Sequence, residues 1–384
     1  MMKAGLKTKL LYPAGALLVV LCAIELISHI FFSVFRERFG LHKPRGYTIA
    51  RADIPKLKQL YDYSLGWKKH FPTPFGERPR GLVYGRPLLA AFGDSFTYCD
   101  QVGDVETWEE QLAEMLSADI YNFGVDAYGT DQAYLRFHEE FEKVGTPLVA
   151  LGLITENINR IVNRYRPFYF EHTGYTLPKP RFILRGKIRE LIENPVRNES
   201  ELGKLLDPKF IESLGENDFW FHRDERPALS FPYTAILLNQ RFWLEIFHRR
   251  GGGQIDDVTP QPRTNLWTYP PVRNLMFSII DSFMEESKAA GKASFINVLP
   301  YRAEVFSQMQ GRDPKNIALI CSYCRFRGYP CFNGAAALAK HARTEAELGK
   351  FFSVHFTPLG NKIMAGELHA FLIDQKMIDK SFNK

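Results

Sequence analysis

The chain has 384 residues, 45% hydrophobic and 24% charged, a composition that excludes a disordered or fibrous protein. Its 49 Lys and Arg against 43 Asp and Glu leave a net charge of +6. The excess is mild and no long basic block interleaves with aromatics, so nucleic acid is not an expected partner.

The first element is Leu10 to Phe35, LLYPAGALLVVLCAIELISHIFFSVF. A run of about 20 mostly apolar residues matches the hydrocarbon core of a bilayer. Glu25, Ser28 and His29 interrupt it, and such groups are costly in lipid unless they face protein or an interface. No clean A-x-A cleavage site follows. The run therefore reads as a retained transmembrane signal-anchor over residues 10–35, behind a short flank at 1–9. Lys3, Lys7 and Lys9 precede it, while Arg36, Arg38, Lys43 and Arg45 follow, so charge does not decide its orientation.

Residues 36–84 are a polar lead-in arm, with Tyr61 to Trp67 (YDYSLGW) expected to pack. A domain over 85–380 then shows alternating strand and helix signals. Leu88 to Phe92 reads as a buried strand ended by Gly93. Thr107 opens a capping box before a helix with Trp108, Leu112, Met115 and Leu116 at helical spacing. Ile120 to Phe123 is a second strand, closed by Gly124. Thr130 is the expected cap of a helix over 131–143. Pro147 to Leu153 is a third, continuously apolar strand of the kind found in covered parallel sheets. Residues 165–275 break the rhythm and read as a large insertion, with a flexible turn at Gly251-Gly252-Gly253. The pattern resumes with a helix at 276–290, a strand at 293–299 and a weaker strand at 329–332. A closing helix over 358–374 has Thr357 as its N-cap and Pro358 at its first position. Strands alternating with helices predict a doubly wound α/β sheet.

Four loops at strand or helix ends carry the candidate chemistry. Gly93-Asp94-Ser95 follows the first strand, where open α/β sheets place their ligand crevices. Ser95 is the candidate nucleophile and needs a base. His355, in Val354-His355-Phe356-Thr357-Pro358-Leu359-Gly360-Asn361, is the best placed of the ten histidines. An oxyanion needs donors: the backbone N–H of Gly124 and the side-chain amide of Asn157, each at the end of a strand, are candidates.

These blocks, FGDSFT, NFGVDAYGTDQ, LITENINR and HFTPLGNK, resemble those of the SGNH (GDSL-like) hydrolase family over residues 85–165 and 290–375. The nearest wording is that of membrane-anchored bacterial members. The resemblance implies a flavodoxin-like parallel sheet with helices on both faces and a serine esterase mechanism. It implies Ser95 and His355 as catalytic residues and Ser95, Gly124 and Asn157 as the oxyanion hole. The implied substrate is an O-acyl ester, of a carbohydrate or another small molecule. The alternatives are an O-acyltransferase for cell-surface polysaccharide and an inactive carbohydrate-binding relative. No cofactor or metal is expected, and the catalytic domain is expected outside the cytoplasm.

One departure stands out. The family places Asp three residues before the His, whereas Phe352 occupies that position here. The expected triad is thereby reduced to a Ser–His dyad, whose ring is oriented by a backbone carbonyl or by an acid from elsewhere in the fold. Arg160 and Arg164, with Arg166, follow Asn157 and are expected at the crevice mouth as a site for an anionic substrate; a solvated basic face is the competing reading. Cys321, Cys324 and Cys331 form C-x2-C-x6-C, which leaves open a disulfide, unpaired structural thiols, or zinc with one further ligand.

Overall fold

The apolar runs form one five-stranded parallel sheet in the structure, a computed structural model that describes residues 4–35, 47–170, 173–186, 188–221, 231–238 and 265–379. Its strands are β1 (Pro87–Gly93), β2 (Asp119–Gly124), β3 (Leu148–Leu153), β4 (Ala293–Val298) and β5 (Cys331–Asn333). They lie in the order β2-β1-β3-β4-β5, all parallel, which is a flavodoxin-like arrangement. β2 and β3 are buried along their whole length, because helices cover the sheet on both faces.

The covering helices pack in pairs. One pair is α2 (Thr130–Val144) with α3 (Pro270–Ala289), where Phe137 joins Phe92 of β1 to Phe283 with ring centroids 5.5 and 4.6 Å apart. The other is α1 (Trp108–Leu116) with α5 (Pro358–Asp374), whose Phe371 meets Phe295 and Phe332 of β4 and β5. Between them in sequence, α4 (Lys315–Arg327) flanks β5. The caps at Thr107 and Thr357 form as expected, accepting from the N–H of Glu110 and Gly360. Two boundaries differ. α2 is capped by Gly129, whose N–H donates to Gln132 Oε1 at 3.1 Å, so Thr130 is the first helical residue and not the cap. α3 begins at Pro270, six residues before the expected start, since proline is pre-organised for a first helical turn.

The chain divides into two units, Met1–Thr48 with Phe221–Gln261, and Ile49–Trp220 with Pro262–Lys384. The larger holds the sheet. The arm residues Tyr61–Trp67 form a short antiparallel hairpin in it, with Leu65 and Trp67 buried. So does the first half of the stretch read as an insertion. Its hairpin Arg181–Arg185 and Ile188–Ile192 leads on to Asp218, whose carboxylate accepts from Asn163 Nδ2 (2.8 Å) and the Tyr165 N–H (3.2 Å). Trp220 Nε1 donates to the Asn159 carbonyl at 2.9 Å. These bonds tie the 165–220 segment to the loop after β3.

The smaller unit contains the helix Ala4–Val34, of which Tyr12–Val34 has a mean hydropathy of 2.4 and is long and apolar enough to cross a membrane. Glu25 lies in its middle. Its carboxylate accepts from the Tyr233 N–H, the Thr234 N–H (3.1 Å) and the Thr234 hydroxyl (2.6 Å). His29 stacks against Tyr233 with centroids 4.3 Å apart. Glu25 and His29, two of the groups that interrupt the apolar run, thus meet protein partners from residues 231–238. The glycine run at 251–253 and the flank at 36–46 lie outside the described residues.

Candidate active site

The sheet's carboxyl edge brings the expected loops together. Gly93 and Gly124 are register partners at the ends of adjacent strands, and β3 on the other side of β1 leads to Asn157. Asp94 caps a short helix, Ser95–Tyr98, by accepting from the Phe96 N–H at 2.9 Å. Ser95 is the first residue of that helix, where backbone N–H groups have no intrahelical acceptor. Two glycines make the close packing possible. A Cβ on Gly93 would stand 2.0 Å from Thr97 Oγ1, and one on Gly124 would stand 2.2 Å from the Tyr98 nitrogen. Both neighbours belong to the helix that carries the serine.

Ser95 Oγ lies 2.9 Å from His355 Nε2, across 260 residues of chain. That is hydrogen-bond reach for a nucleophile and its base. The loop that presents His355 is clamped by one side chain. Gln101 Oε1 accepts from Ser353 Oγ (2.6 Å), the Val354 N–H (3.1 Å) and the His355 N–H (2.9 Å). Below the ring, Phe96 lies 4.8 Å from His355 and 5.2 Å from Phe356.

Phe352, at the position where the family carries Asp, is buried and packs on Phe356. The outward nitrogen of the imidazole, Nδ1, is buried and has no hydrogen-bond partner. Burial pushes the His355 ring down to about 4; the Asp126 carboxylate opposes that shift and Arg160 adds to it. The Asp126 carboxylate therefore favours the protonated ring by its field, with no hydrogen bond to it among the described residues. Lys69 Nζ holds it at 2.5 Å and the Tyr175 hydroxyl at 3.1 Å.

The oxyanion candidates differ in availability. The Gly124 N–H donates to Asn122 Oδ1 at 2.9 Å, while Asn122 Nδ2 donates to the Thr97 carbonyl at 2.7 Å. Asn122 thus stitches the end of β2 to the nucleophile helix, and Gly124 would have to share its proton with an oxyanion. Asn157 is buried beside the Asp94 carboxyl, whose upward shift it opposes, but makes no hydrogen bond of regular geometry. Burial raises Asp94, and Arg160, 3.7 Å away, opposes this.

Arg160 and Arg164 are not at the crevice mouth. They are 6% and 8% exposed. Arg160 is held by Glu156 (2.5 Å) and the Tyr128 carbonyl (2.9 Å), and Arg164 by the Glu193 carbonyl (2.7 Å). Their guanidinium groups face protein acceptors, and Arg164 reaches the 165–220 segment through the Glu193 carbonyl. Gln101, Asp126, Lys69 and Tyr175, single polar residues in loops, and Asn122, near the end of β2, went unassigned in the sequence because none has motif spacing.

Two solved structures align with this chain at low identity. A protein from Desulfitobacterium hafniense DCB-2 described as lipolytic and of the G-D-S-L family aligns over 75% of this chain and 100% of its own, at 12% identity and a TM-score of 0.36. A lipolytic G-D-S-L family member from Veillonella parvula DSM 2008 aligns over 73% of this chain and 94% of its own, at 12% identity and a TM-score of 0.33. No family profile and no curated protein matches the sequence.

Proposed function

We propose that this chain is a serine acyl-ester hydrolase working through a Ser95–His355 dyad. The observation that carries the reading is the 2.9 Å contact between Ser95 Oγ and His355 Nε2 at the carboxyl edge of the sheet. Ser95 Oγ attacks the ester carbonyl as His355 Nε2 takes its proton. The tetrahedral oxyanion is met by the Ser95 N–H, with Gly124 N–H and the Asn157 amide as further donors. Collapse expels the alcohol, protonated by His355, and leaves an acyl-enzyme. Water, activated by the same ring, then releases the acid. The substrate class is an O-acyl ester, of carbohydrate by family resemblance. A sugar hydroxyl in place of water would make the same site an O-acyltransferase. The apolar helix at the N-terminus supports a membrane-tethered enzyme, and its catalytic domain is proposed to lie outside the cytoplasm.

Covalent labelling by a fluorophosphonate tests the dyad, since only an activated serine reacts. Modification at Ser95 in the parent chain is expected. A parent chain that stays unlabelled would instead support a carbohydrate-binding relative without catalysis, the reading that the unpartnered Nδ1 favours.

The pH profile follows from burial of the base. Only the neutral ring accepts the Ser95 proton, and the folded ring titrates at about 4. The rate constant kcat/KM is expected to rise from acid with a midpoint near 4 and to stay level through 6.5, where an unperturbed histidine titrates. The same shift makes the unfolded chain take up the proton first, so stability falls as pH drops from about 6.5 toward 4. An acid limb in kcat/KM near 6.5 would contradict a ring pushed down by burial.

Gln101 is a positioning residue for the base. Gln101→Ala removes the one acceptor shared by three donors of the His355 loop. A drop of roughly 10- to 100-fold in kcat with little change in KM is expected from misplacing the base by about an ångström. Gln101→Glu keeps the acceptor and should restore most of the rate. An unchanged kcat in Gln101→Ala would remove Gln101 from the mechanism.

A further inference from the structure

Three cysteines meet at the far edge of the sheet. Cys321 and Cys324 lie one turn apart on α4, and Cys331 is the first residue of the edge strand β5. Between them the chain reverses at Gly328, which takes φ +71 at the end of α4. The Tyr329 N–H returns to the Cys324 carbonyl at 2.8 Å and closes the reversal. This turn lays β5 back along the helix that precedes it. It brings Cys331 Sγ to 3.3 Å from Cys321 Sγ, with all cysteines held as thiols. Cys321 and Cys331 are half-buried and open onto a cavity of about 380 Å³ that also borders Arg325 and Tyr329. Cys324 is fully buried and does not line it. Among the described residues no group of three or more His, Cys, Asp or Glu is arranged to hold a metal ion.

We propose that Cys321 and Cys331 are a modification site that becomes an intrachain disulfide, formed by exchange with an exposed protein disulfide outside the cytosol. The two sulfurs already touch, they share an opening to solvent, and the third thiol has none. Cys321 is the thiol that reacts first, since the Cys331 S–H donates to it and Arg325 lies close, both of which favour its thiolate. The Cys321 thiolate attacks one sulfur of the donor, a mixed disulfide forms, and the other donor sulfur leaves as thiolate. Cys331, having lost its proton, then attacks Cys321 Sγ and expels the second donor sulfur. Two thiols are oxidised to one disulfide, the donor disulfide is reduced to a dithiol, and the two protons pass to the donor. The product ties α4 to β5, a three-residue strand at an open sheet edge, where a short pairing is otherwise easily lost.

The test uses the full chain as cells make it, extracted from membranes into denaturant without reductant and with N-ethylmaleimide present, so that every free thiol, the buried Cys324 included, is alkylated. Tryptic cleavage at Lys315, Arg325, Arg327 and Lys340 separates a peptide with Cys321 and Cys324 from one with Cys331. The expected result is these two peptides linked, with Cys324 carrying the alkyl group. The link should survive in Cys324→Ser and vanish in Cys321→Ser. Reduction should lower Tm by roughly 5 °C, the size expected for a short closed loop in a domain of this size. N-ethylmaleimide on Cys321 and Cys331 would overturn the proposal, as would a bridge through Cys324.

Discussion

Ser95→Ala is expected to reduce hydrolysis of p-nitrophenyl acetate by about 10⁴- to 10⁶-fold and to abolish fluorophosphonate labelling. The variant keeps the backbone N–H assigned to the oxyanion and loses only the proposed attacking oxygen. Its fold should be unaffected: Asp94 still caps the helix through the Phe96 N–H, and the Gln101 clamp on the His355 loop does not touch Ser95. His355→Ala should cost nearly as much, and the double variant should be no worse than either single one. Residues that act as one unit are non-additive in this way. Equal rates for Ser95→Ala and the parent would remove Ser95 as nucleophile. Additive losses in the double variant would mean that the two side chains act independently, against the 2.9 Å contact.

Gly124→Ala should damage both activity and stability. Its Cβ would sit 2.2 Å from the Tyr98 nitrogen and 2.6 Å from the Thr97 carbonyl carbon. Both are backbone atoms, so no flexible side chain can give way. Either the end of β2 or the helix Ser95–Tyr98 must shift. Overpacking of this kind costs about 1–3 kcal/mol, and a displacement of about 1 Å at a nucleophile costs roughly 100-fold in rate. A lower thermal midpoint together with a loss of about 100-fold in kcat is expected. Gly366→Ala is the control: a Cβ there meets nothing within 4 Å, and its position inside α5 makes alanine neutral or slightly stabilising. Parent-like kcat in Gly124→Ala would mean that the two loops are not closely fitted.

What was legible in the sequence was what short stretches of chain settle for themselves. The continuous apolar runs around Ala90, Phe123 and Val149 became adjacent parallel strands. Thr107 and Thr357 became the caps their positions imply. Ser95 and His355 were recognisable because each sits in a run of residues whose local backbone needs, a sharp turn after a strand and a capped helix start, are written beside it. Thr130 misled for an instructive reason: the adjacent Gly129 can cap through its backbone and Gln132, so the hydroxyl was not needed.

The sequence by itself determined the parallel α/β frame, the apolar N-terminal helix and the pairing of a serine block with a histidine block. Tertiary structure alone decided the surroundings. It buried Phe352 against Phe356, left Nδ1 of His355 without an acceptor, and set the field of Asp126 in place of a hydrogen-bonded acid. It turned Arg160 and Arg164 inward, gave Glu25 its partners at Tyr233 and Thr234, and made Gln101 the clamp of a loop 254 residues away. The physical reason is range. Periodicity and caps report interactions within a few residues, whereas these contacts depend on strand order and on how the loops at one edge of the sheet close over each other.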